Sequence, residues 1–256
     1  MGFAWIFGIG PGDRRFWWVA AIMLLVQFSI SALNEWADAD LDRRAGRQRP
    51  IPLGLVSPGA ALRVAVACAV GAFLLCVLAD LGTVGLLLVG VGTACGWAYD
   101  LWLKASPLSV VPFAIAFPLM PFWIGLLAGR PLSSLLLLFL GGSPLAAAIH
   151  LADAIPDRDR DRAAGLKTLA VTLGKPGADM AAVGLLLVGT VIAINVIIRR
   201  GQTGIAALSL VSGAAAALLV SLRWRGRPSS LLLGKWAVIA LATAAAVPLV
   251  VSASGR

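Results

Sequence analysis

Most of the acidic side chains in this sequence lie in two short stretches, which we call the first and second acidic segments. The first spans 34–42 and reads NEWADADLD, and the second spans 153–161 and reads DAIPDRDRD. Together they hold eight of the twelve Asp and Glu residues. The nine residues that start at Asp38, DADLDRRAG, recur from Asp157 as DRDRDRAAG, with six positions identical. Because like charges so close together repel one another, each segment calls for a cationic partner.

Residues four apart on a helix lie one above the other, so each segment contains a column of oxygen-bearing side chains. Hard oxygen donors with few His or Cys residues nearby select Mg²⁺ or a similar ion. Mg²⁺ binds best to one or two carboxylates together with water and phosphate oxygens, which predicts that the columns grip a diphosphate through bridging metal ions. The columns are Asn34, Asp38 and Asp42, and Asp153, Asp157 and Asp161.

Basic residues near the two segments complete the predicted chemistry. Arg49, Lys104 and Lys167 can meet the phosphate oxygens that the metal ions leave uncontacted. The middle carboxylates, Asp40 and Asp159, point away from the columns and are not expected to be ligands. A simpler interpretation is a solvated surface on which Asp and Arg neutralise each other, as in most charge runs. Two copies with the same spacing at the ends of two membrane spans favour the metal site.

The rest of the sequence is that of an integral membrane protein. Of the 256 residues, 60% are hydrophobic and only 13% are charged, and the mean hydropathy of +0.93 lies outside the range of soluble domains. An α-helix needs about 20 apolar residues to cross the hydrocarbon layer. Eight stretches meet this requirement, near residues 16–36, 59–80, 82–99, 108–128, 132–152, 178–198, 204–222 and 231–251.

The basic residues are sorted by side of the membrane. If the spans alternate, the loops after the first, third, fifth and seventh spans share one face and carry 14 Lys and Arg residues, against six on the other face. By the positive-inside rule, both acidic segments are predicted to lie on the cytoplasmic side of the plasma membrane. The high pI therefore reports topology, and no nucleic-acid partner is expected.

Other residues near the acidic segments carry weaker signals. His150, one turn before the second segment, could orient a carboxylate there, although a hydrogen-bonded residue at the membrane edge is the simpler interpretation. Trp97 and Trp102, close to Tyr99, could line a cavity, whereas most Trp residues lie near span ends as interfacial anchors. Asp100 fits a pocket rim and a helix-end surface charge equally well.

These motifs resemble those of the UbiA superfamily of intramembrane prenyltransferases. Members carry an N-D-x-x-D-x-x-x-D motif at the end of the second helix, then an R-P-I-P-x-G segment, and later a D-x-x-x-D motif with a following G-x-x-T-L segment. The corresponding residues here read NEWADADLD, RPIPLG, DAIPDRDRD and GLKTL. A Tyr ahead of a basic residue after the family's fourth helix is matched by YDLWLK. The resemblance runs from about residue 16 to the C-terminus.

The resemblance implies an all-α integral membrane protein that forms a single UbiA-like domain over residues 1–256. The expected fold is a bundle of eight to nine transmembrane helices around a central cavity, with a cytoplasmic cap that carries the two aspartate motifs. A prenyl diphosphate is the implied substrate, Mg²⁺ the implied cofactor, and membrane lipid the surroundings of the isoprenoid tail. Two halves related by pseudo-symmetry would explain the repeated phrase.

The resemblance also assigns roles to residues. Each motif would hold one Mg²⁺ ion, and Arg49 and Lys104 would contact the diphosphate together with Lys167. Tyr99 would lie near the carbon that becomes cationic, so Tyr99 and Lys104 are the expected catalytic residues. The implied metal ligands are Asn34, Asp38, Asp42, Asp153, Asp157 and Asp161.

The sequence departs from the family pattern at three places. Glu35 stands where the family has Asp, and Asp153 with Ala154 stands where many members have Asn and Asp. Most of the family's first helix has no counterpart, since MGFAWIFGIG is too short to span a membrane. That helix contributes to the acceptor pocket in relatives, so the resemblance does not imply a particular acceptor.

Three functions fit these observations. The first is a Mg²⁺-dependent transferase that ionises an allylic isoprenyl diphosphate and passes the prenyl group to an aromatic or other small or lipid acceptor. The second is a terpene cyclase of the same family, which needs no acceptor. The third, a divalent-cation transporter, is disfavoured because transport sites usually lie near the membrane midplane, whereas these carboxylates lie at span ends. The transferase is the prediction, because it is the common activity of the family.

Overall fold

The computed structural model describes residues 1–202, 204, 206–207, 209–211, 214–215 and 230–255, and the side chains of its C-terminal part from Lys235 onward. All regular secondary structure in these residues is helical. The α-helices are α1 (Gly2–Ile6), α2 (Arg14–Arg44), α3 (Pro58–Leu78), α4 (Gly82–Ala98), α5 (Val110–Leu127), α6 (Leu132–Ala154), α7 (Arg158–Ala163), α8 (Leu169–Arg199) and α9 (Ser230–Ala253). A π-helix, Tyr99–Leu103, continues α4, and a 3-10 turn, Pro107–Ser109, precedes α5.

Seven helical stretches in the described part of the chain are long and apolar enough to cross a membrane. They are Arg14–Arg44, Pro58–Leu78, Gly82–Leu103, Pro107–Leu127, Leu132–Ala154, Leu169–Arg199 and Lys235–Ala253. The predicted span at 204–222 lies largely outside the described residues, as do Arg223, Arg225 and Arg227 of the basic loop that follows it. The predicted total of eight to nine helices therefore stays a prediction.

The helices group into two compact units. The first unit contains Met1 and Ile9–Leu103, and the second contains Gly2–Gly8 and Lys104–Arg256. The first acidic segment belongs to the first unit and the second acidic segment to the second unit.

In the first unit, α3 presents a row of small residues that allows close helix packing. Its buried residues Ala61, Ala65, Ala69 and Ala72 recur at helical spacing. The buried Ser29 on α2 donates through Oγ to the carbonyl oxygen of Ala65 at 2.8 Å. The indole Nε1–H of Trp97 on α4 donates to the same Oγ at 3.0 Å. This hydroxyl therefore links all three membrane helices of the unit.

Local signals define both ends of α2. Asp13 is its N-cap and accepts a hydrogen bond from the backbone N–H of Arg15 at 2.9 Å. The Arg15 side chain also contacts this carboxylate, and the two hydrogen bonds lower the pKa of Asp13. At the other end Gly46 adopts φ +63°, which ends the helix directly after the first acidic segment.

In the second unit, glycines allow close contacts between helices. A Cβ atom at Gly189 of α8 would lie 2.6 Å from Leu145 Cγ of α6 and 3.2 Å from the carbonyl oxygen of Gly141. A Cβ atom at Gly142 would lie 2.9 Å from the Cβ atom of Pro118, a proline inside α5. Gly189 therefore allows the close approach of α8 to α6, and Gly142 allows the close approach of α6 to α5.

A break divides α8 close to its start. Thr168 caps the helix through Oγ1, which accepts from the Val171 N–H at 3.4 Å. Gly174 then adopts φ +66° and ψ 173°, outside the helical region, and the chain resumes a helix with Pro176 in its first turn. The short piece before Gly174 begins at the end of the GLKTL stretch, close after the second acidic segment. The long piece after Gly174 forms most of the membrane span.

Candidate functional site

The first acidic segment lies on one continuous helix, as its spacing predicts. Asn34, Asp38 and Asp42 all belong to the last three turns of α2. With the Asn34 amide oriented to satisfy its neighbours, its Nδ2 donates to Asp38 Oδ2 at 3.2 Å and to Asp100 Oδ1 at 3.0 Å. Both Asn34 and Asp38 are half-buried. Two of the three predicted ligands are thus joined by a direct hydrogen bond.

Asp42 has different surroundings from the other two. Its side chain is buried, and Oδ1 accepts from Arg47 Nη1 at 2.8 Å. The backbone N–H of Arg47 also donates to the Asp42 carbonyl oxygen at 2.9 Å, because the chain turns back at the helix end. A metal ion at Asp42 would have to share this carboxylate with a guanidinium group.

Arg49 contacts Glu35, one of the residues that depart from the family pattern. Its Nη1 donates to Glu35 Oε1 at 3.1 Å, while about half of the Arg49 side chain stays exposed. The other oxygen of Glu35, Oε2, is buried and has no hydrogen-bond partner among the described residues. The backbone N–H of Leu53 donates to the Arg49 carbonyl oxygen at 3.0 Å, so a compact turn fixes the backbone of this arginine.

Ile51 of the RPIPLG segment anchors that turn. Ile51 is buried in a small cluster with Ala39 of α2 and Ala61 of α3. Ile51 follows Arg49 by only two residues. Its burial against α2 therefore holds Arg49 near the end of the helix that carries the first acidic segment.

The second acidic segment does not lie on one continuous helix. The prediction that Asp153, Asp157 and Asp161 form a column on a single helix is therefore wrong. Helix α6 ends at Ala154, and Asp157 is the N-cap of the separate short helix α7. The Asp161 N–H donates to the Asp157 carbonyl oxygen at 2.9 Å, so only these two residues keep the helical spacing. Ile155 still has helical dihedral angles (φ −59°, ψ −44°), but Pro156 has no N–H to continue the α6 ladder of hydrogen bonds, which explains the break.

Asp153, Asp157 and Asp159 of the second segment each pair with a basic residue. Asp153, which is exposed, pairs with the half-buried Lys235 of α9 within the second unit. Asp157 pairs with Arg160 at 3.2 Å. Asp159 pairs with the adjacent Arg158 at 2.6 Å, and 81% of its side chain is exposed.

The predicted phosphate-binding lysines are joined through the backbone. The Lys167 N–H donates to the carbonyl oxygen of Ala105, the residue after Lys104, at 3.1 Å. Lys104 is half-buried and Lys167 is exposed. This bond places the backbone of Lys167 beside the residue that follows Lys104, within the second unit.

The aromatic and histidine residues have mixed outcomes. Tyr99 is half-buried at the first position of the π-helix. Trp102 is 69% exposed, so its predicted place in a cavity is wrong for this structure. His150 is buried, with Nε2 at 3.3 Å from Ser109 Oγ and its ring stacked on Phe113 at 4.0 Å. That packing favours the hydrogen-bonded, structural interpretation of the histidine.

The residues present suit a divalent ion that keeps water or phosphate among its ligands. No group of three or more His, Cys, Asp or Glu side chains in the described part of the chain could hold a metal ion by itself. The amide oxygen of Asn34 and the carboxylate oxygens of Asp38 are hard donors on neighbouring turns of α2. Mg²⁺ prefers such sparse oxygen sets completed by water and phosphate oxygens over a full protein cage.

Two residues of the site were missed or left undecided at the sequence level. Asp100 is only 3% exposed and contacts Asn34, which excludes the interpretation as a surface charge. Lys235 was counted only as part of the basic loop, although it pairs with Asp153. The one available signal was that Asp100 is an isolated acid at the end of an apolar span, where a charge needs a partner.

Comparison with known proteins gives a consistent picture. The model of the UbiA prenyltransferase family matches residues 1–231. A digeranylgeranylglyceryl phosphate synthase of Korarchaeum cryptofilum (strain OPF8) is 30% identical over 210 residues, which cover 80% of this chain and 73% of that protein. A 4-hydroxybenzoate octaprenyltransferase of Cupriavidus metallidurans is 31% identical over 175 residues, which cover 68% of this chain but only 58% of that protein.

A solved structure shares the fold. The UbiA homolog from Archaeoglobus fulgidus bound to GPP and Mg²⁺ superposes with a TM-score of 0.71 over 97% of this chain and 93% of that one. The sequence identity is 20%, so this likeness concerns the fold alone.

Proposed function

Because the chain belongs to the UbiA prenyltransferase family, we propose that it ionises an allylic prenyl diphosphate and transfers the prenyl group to an acceptor within the membrane. The observation that carries this proposal is the first acidic segment, where α2 keeps Asn34 and Asp38 in direct contact at a membrane-span end. The repeat of this segment in the sequence supports a requirement for both segments in the same reaction.

The proposed metal ligands are those of the two acidic segments, with Mg²⁺ as the ion. Asn34, Asp38 and Asp42 would bind one ion, with Asp42 shared with Arg47. Asp153, Asp157 and Asp161 would bind the other, which requires Asp153 to exchange its contact with Lys235. When bound, Mg²⁺ supplies Lewis-acid neutralisation of the negative charge on the leaving diphosphate.

The basic residues bind and orient the diphosphate. Arg49 contacts Glu35 through Nη1 and about half of its side chain is exposed, so its remaining N–H groups could donate two parallel hydrogen bonds to phosphate oxygens. Lys104 and Lys167 add two positive charges that stabilise the leaving group as the carbon–oxygen bond breaks. The proposed role of Tyr99 is to place its ring face near the allylic cation, which an aromatic face stabilises.

The surroundings of the reaction follow from the apolar helices. We propose that the chain is a multi-pass protein of the plasma membrane with eight to nine helices around a central cavity. The excess of Lys and Arg in one set of loops supports a cytoplasmic active site under a cap that carries both acidic segments. Such a cavity excludes water, which would otherwise capture the cation.

The acceptor is the open part of the proposal. The two relatives are named for different acceptors, a glyceryl phosphate and 4-hydroxybenzoate, and either class fits a transferase. A terpene cyclase would use the same ionisation without any acceptor. The experiment must therefore distinguish a transferase from a cyclase.

The test is product analysis with purified protein, Mg²⁺ and prenyl diphosphates of ten, fifteen and twenty carbons, with and without each acceptor class. We expect diphosphate release and a prenylated acceptor by mass spectrometry, both lost on chelation of Mg²⁺. A cyclic hydrocarbon formed without acceptor would replace the transferase by a cyclase. Metal uptake into sealed vesicles without any diphosphate release would contradict both enzymes and support a transporter.

A further inference from the structure

We infer that Asp100 is a positioning residue of the first acidic segment, which fixes the Asn34 amide so that the amide oxygen stays available as a metal ligand. The inference rests on the proposed function, because it concerns the metal site of that function. Asp100 lies outside both acidic segments, on the π-helix that continues α4, and reaches α2 within the first unit.

The hydrogen bonds of Asn34 are the first step of the argument. With the amide oriented so that its neighbours are satisfied, Nδ2 lies 3.0 Å from Asp100 Oδ1 and 3.2 Å from Asp38 Oδ2, both within hydrogen-bond range. A side-chain amide has two N–H donors and one oxygen acceptor. Because the two carboxylates take both donors, the oxygen is the atom of this amide that is left to bind a cation.

The charges on the two carboxylates make this orientation strongly preferred. A reversed amide would direct its oxygen at Asp38 and Asp100, where oxygen lone pairs meet negative charge. With Asp38 alone, the amide would have one carboxylate contact and more freedom to rotate. Asp100 therefore supplies the second contact that fixes the amide, as outer residues commonly fix the ligands of metal sites.

The burial of Asp100 supports a specific role. The residue is 3% exposed, whereas Trp102, two positions later, is 69% exposed. A buried carboxylate is costly unless it is hydrogen-bonded, and the Asn34 amide provides such a bond. The residue also lies on a π-helix, a widened turn that recurs at functional sites and here directs this side chain to α2.

The experiment measures metal binding without turnover. Binding of Mn²⁺, as a substitute for Mg²⁺, is followed by electron paramagnetic resonance on purified protein with inorganic diphosphate. Asp100→Ala should weaken Mn²⁺ binding by about 10-fold, the lower end of the effect of losing such an outer contact. Asp100→Asn keeps an oxygen that accepts from Asn34 and should bind Mn²⁺ within about threefold of the unchanged protein.

A double-variant cycle separates positioning from other roles. If Asp100 acts through Asn34, Asp100→Ala should cause no further loss in a protein that already carries Asn34→Ala. A direct ligand or a purely structural residue would weaken binding again in that background, and this result would overturn the inference. The matched control is Asp40→Ala, because Asp40 is an exposed aspartate on α2, the helix that carries Asn34. This variant should bind Mn²⁺ like the unchanged protein.

Failure of the inference can be told from failure of the proposed function. If Asp38→Ala abolishes Mn²⁺ binding while Asp100→Ala binds like the unchanged protein, only the inference is wrong. If the unchanged protein binds no Mn²⁺ with diphosphate, the proposed metal site fails and the inference fails with it. Thermal unfolding in detergent, measured for each variant, shows whether the compared proteins are folded.

Discussion

Neighbouring carboxylates of the first acidic segment have different partners, and these partners decide how readily each can bind a cation. Asp38 contacts the Asn34 amide, Asp40 is 80% exposed and pairs with Arg43, and Asp42 is buried against Arg47. A guanidinium compensates the charge of the carboxylate that it contacts, so a metal ion would have to compete with Arg43 at Asp40 and with Arg47 at Asp42. Asp38 lies beside the proposed ligand Asn34, and we expect its loss to weaken metal binding more than the loss of Asp40.

The first prediction compares aspartates within each acidic segment. Asp38→Ala and Asp157→Ala should each lower the rate of diphosphate release about 100-fold or more, because each removes a proposed ligand of the Mg²⁺ that would neutralise the leaving group. Asp40→Ala and Asp159→Ala should stay within about threefold of the unchanged protein, since each loses only a surface ion pair. Release is measured from a prenyl diphosphate at saturating Mg²⁺. Equal loss in all four variants would contradict the assignment.

The second prediction concerns the guanidinium group of Arg49. Arg49→Lys should raise KM for the prenyl diphosphate about 10-fold with a smaller change in kcat, because a lysine cannot make two parallel hydrogen bonds. Arg43→Lys is the control, since Arg43 pairs with an exposed aspartate on the outer face of α2. Steady-state kinetics of both variants provide the comparison. An unchanged KM in Arg49→Lys would remove this residue from the diphosphate site.

At the level of elements, the two acidic segments share a sequence pattern but not a backbone. The first ends a helix of 31 residues, whereas the second is divided between the end of α6 and the six-residue α7. Pro156 accounts for the difference, because it lies inside the second segment and has no counterpart in the first. Identical spacing therefore places the side chains differently.

The third prediction uses two glycines on the same helix. Gly189→Ala should destabilise the protein by roughly 1–3 kcal/mol, because its Cβ atom would lie 2.6 Å from Leu145 Cγ in a packed interface. Gly184→Ala has open space around its Cβ atom and should be neutral or stabilise by up to about 1 kcal/mol. Thermal unfolding in detergent measures both. Equal stability of the two variants would show that α6 and α8 do not pack this closely.

At the level of the whole molecule, the charge distribution predicts the orientation in the membrane, which is the fourth prediction. In a background where Cys68, Cys76 and Cys95 are changed to Ala, Gln48→Cys should be protected from a membrane-impermeant maleimide in intact cells. Ser133→Cys, in the first turn of α6, should be labelled there. Both positions are exposed in the described chain, so labelling reports the side of the membrane. The reverse pattern would place the acidic segments outside.

Much of the architecture could be predicted from the sequence, because hydropathy is read along the chain. Seven of the eight expected spans correspond to described helices, and the family was identified from the acidic motifs. The pairing of Asp153 with Lys235 could not be predicted, since these residues are far apart in sequence and meet only when α6 packs against α9. The exposure of Trp102 likewise depends on the rotation of the π-helix.

The sequence by itself determined the class of protein, the membrane spans, the two acidic segments and the family, since composition and spacing are properties of the chain. Tertiary structure alone decided which carboxylates have cationic partners and that Asp100 contacts the first acidic segment. The physical reason is that a hydrogen bond needs atoms within about 3 Å, and helix packing between distant stretches sets those distances.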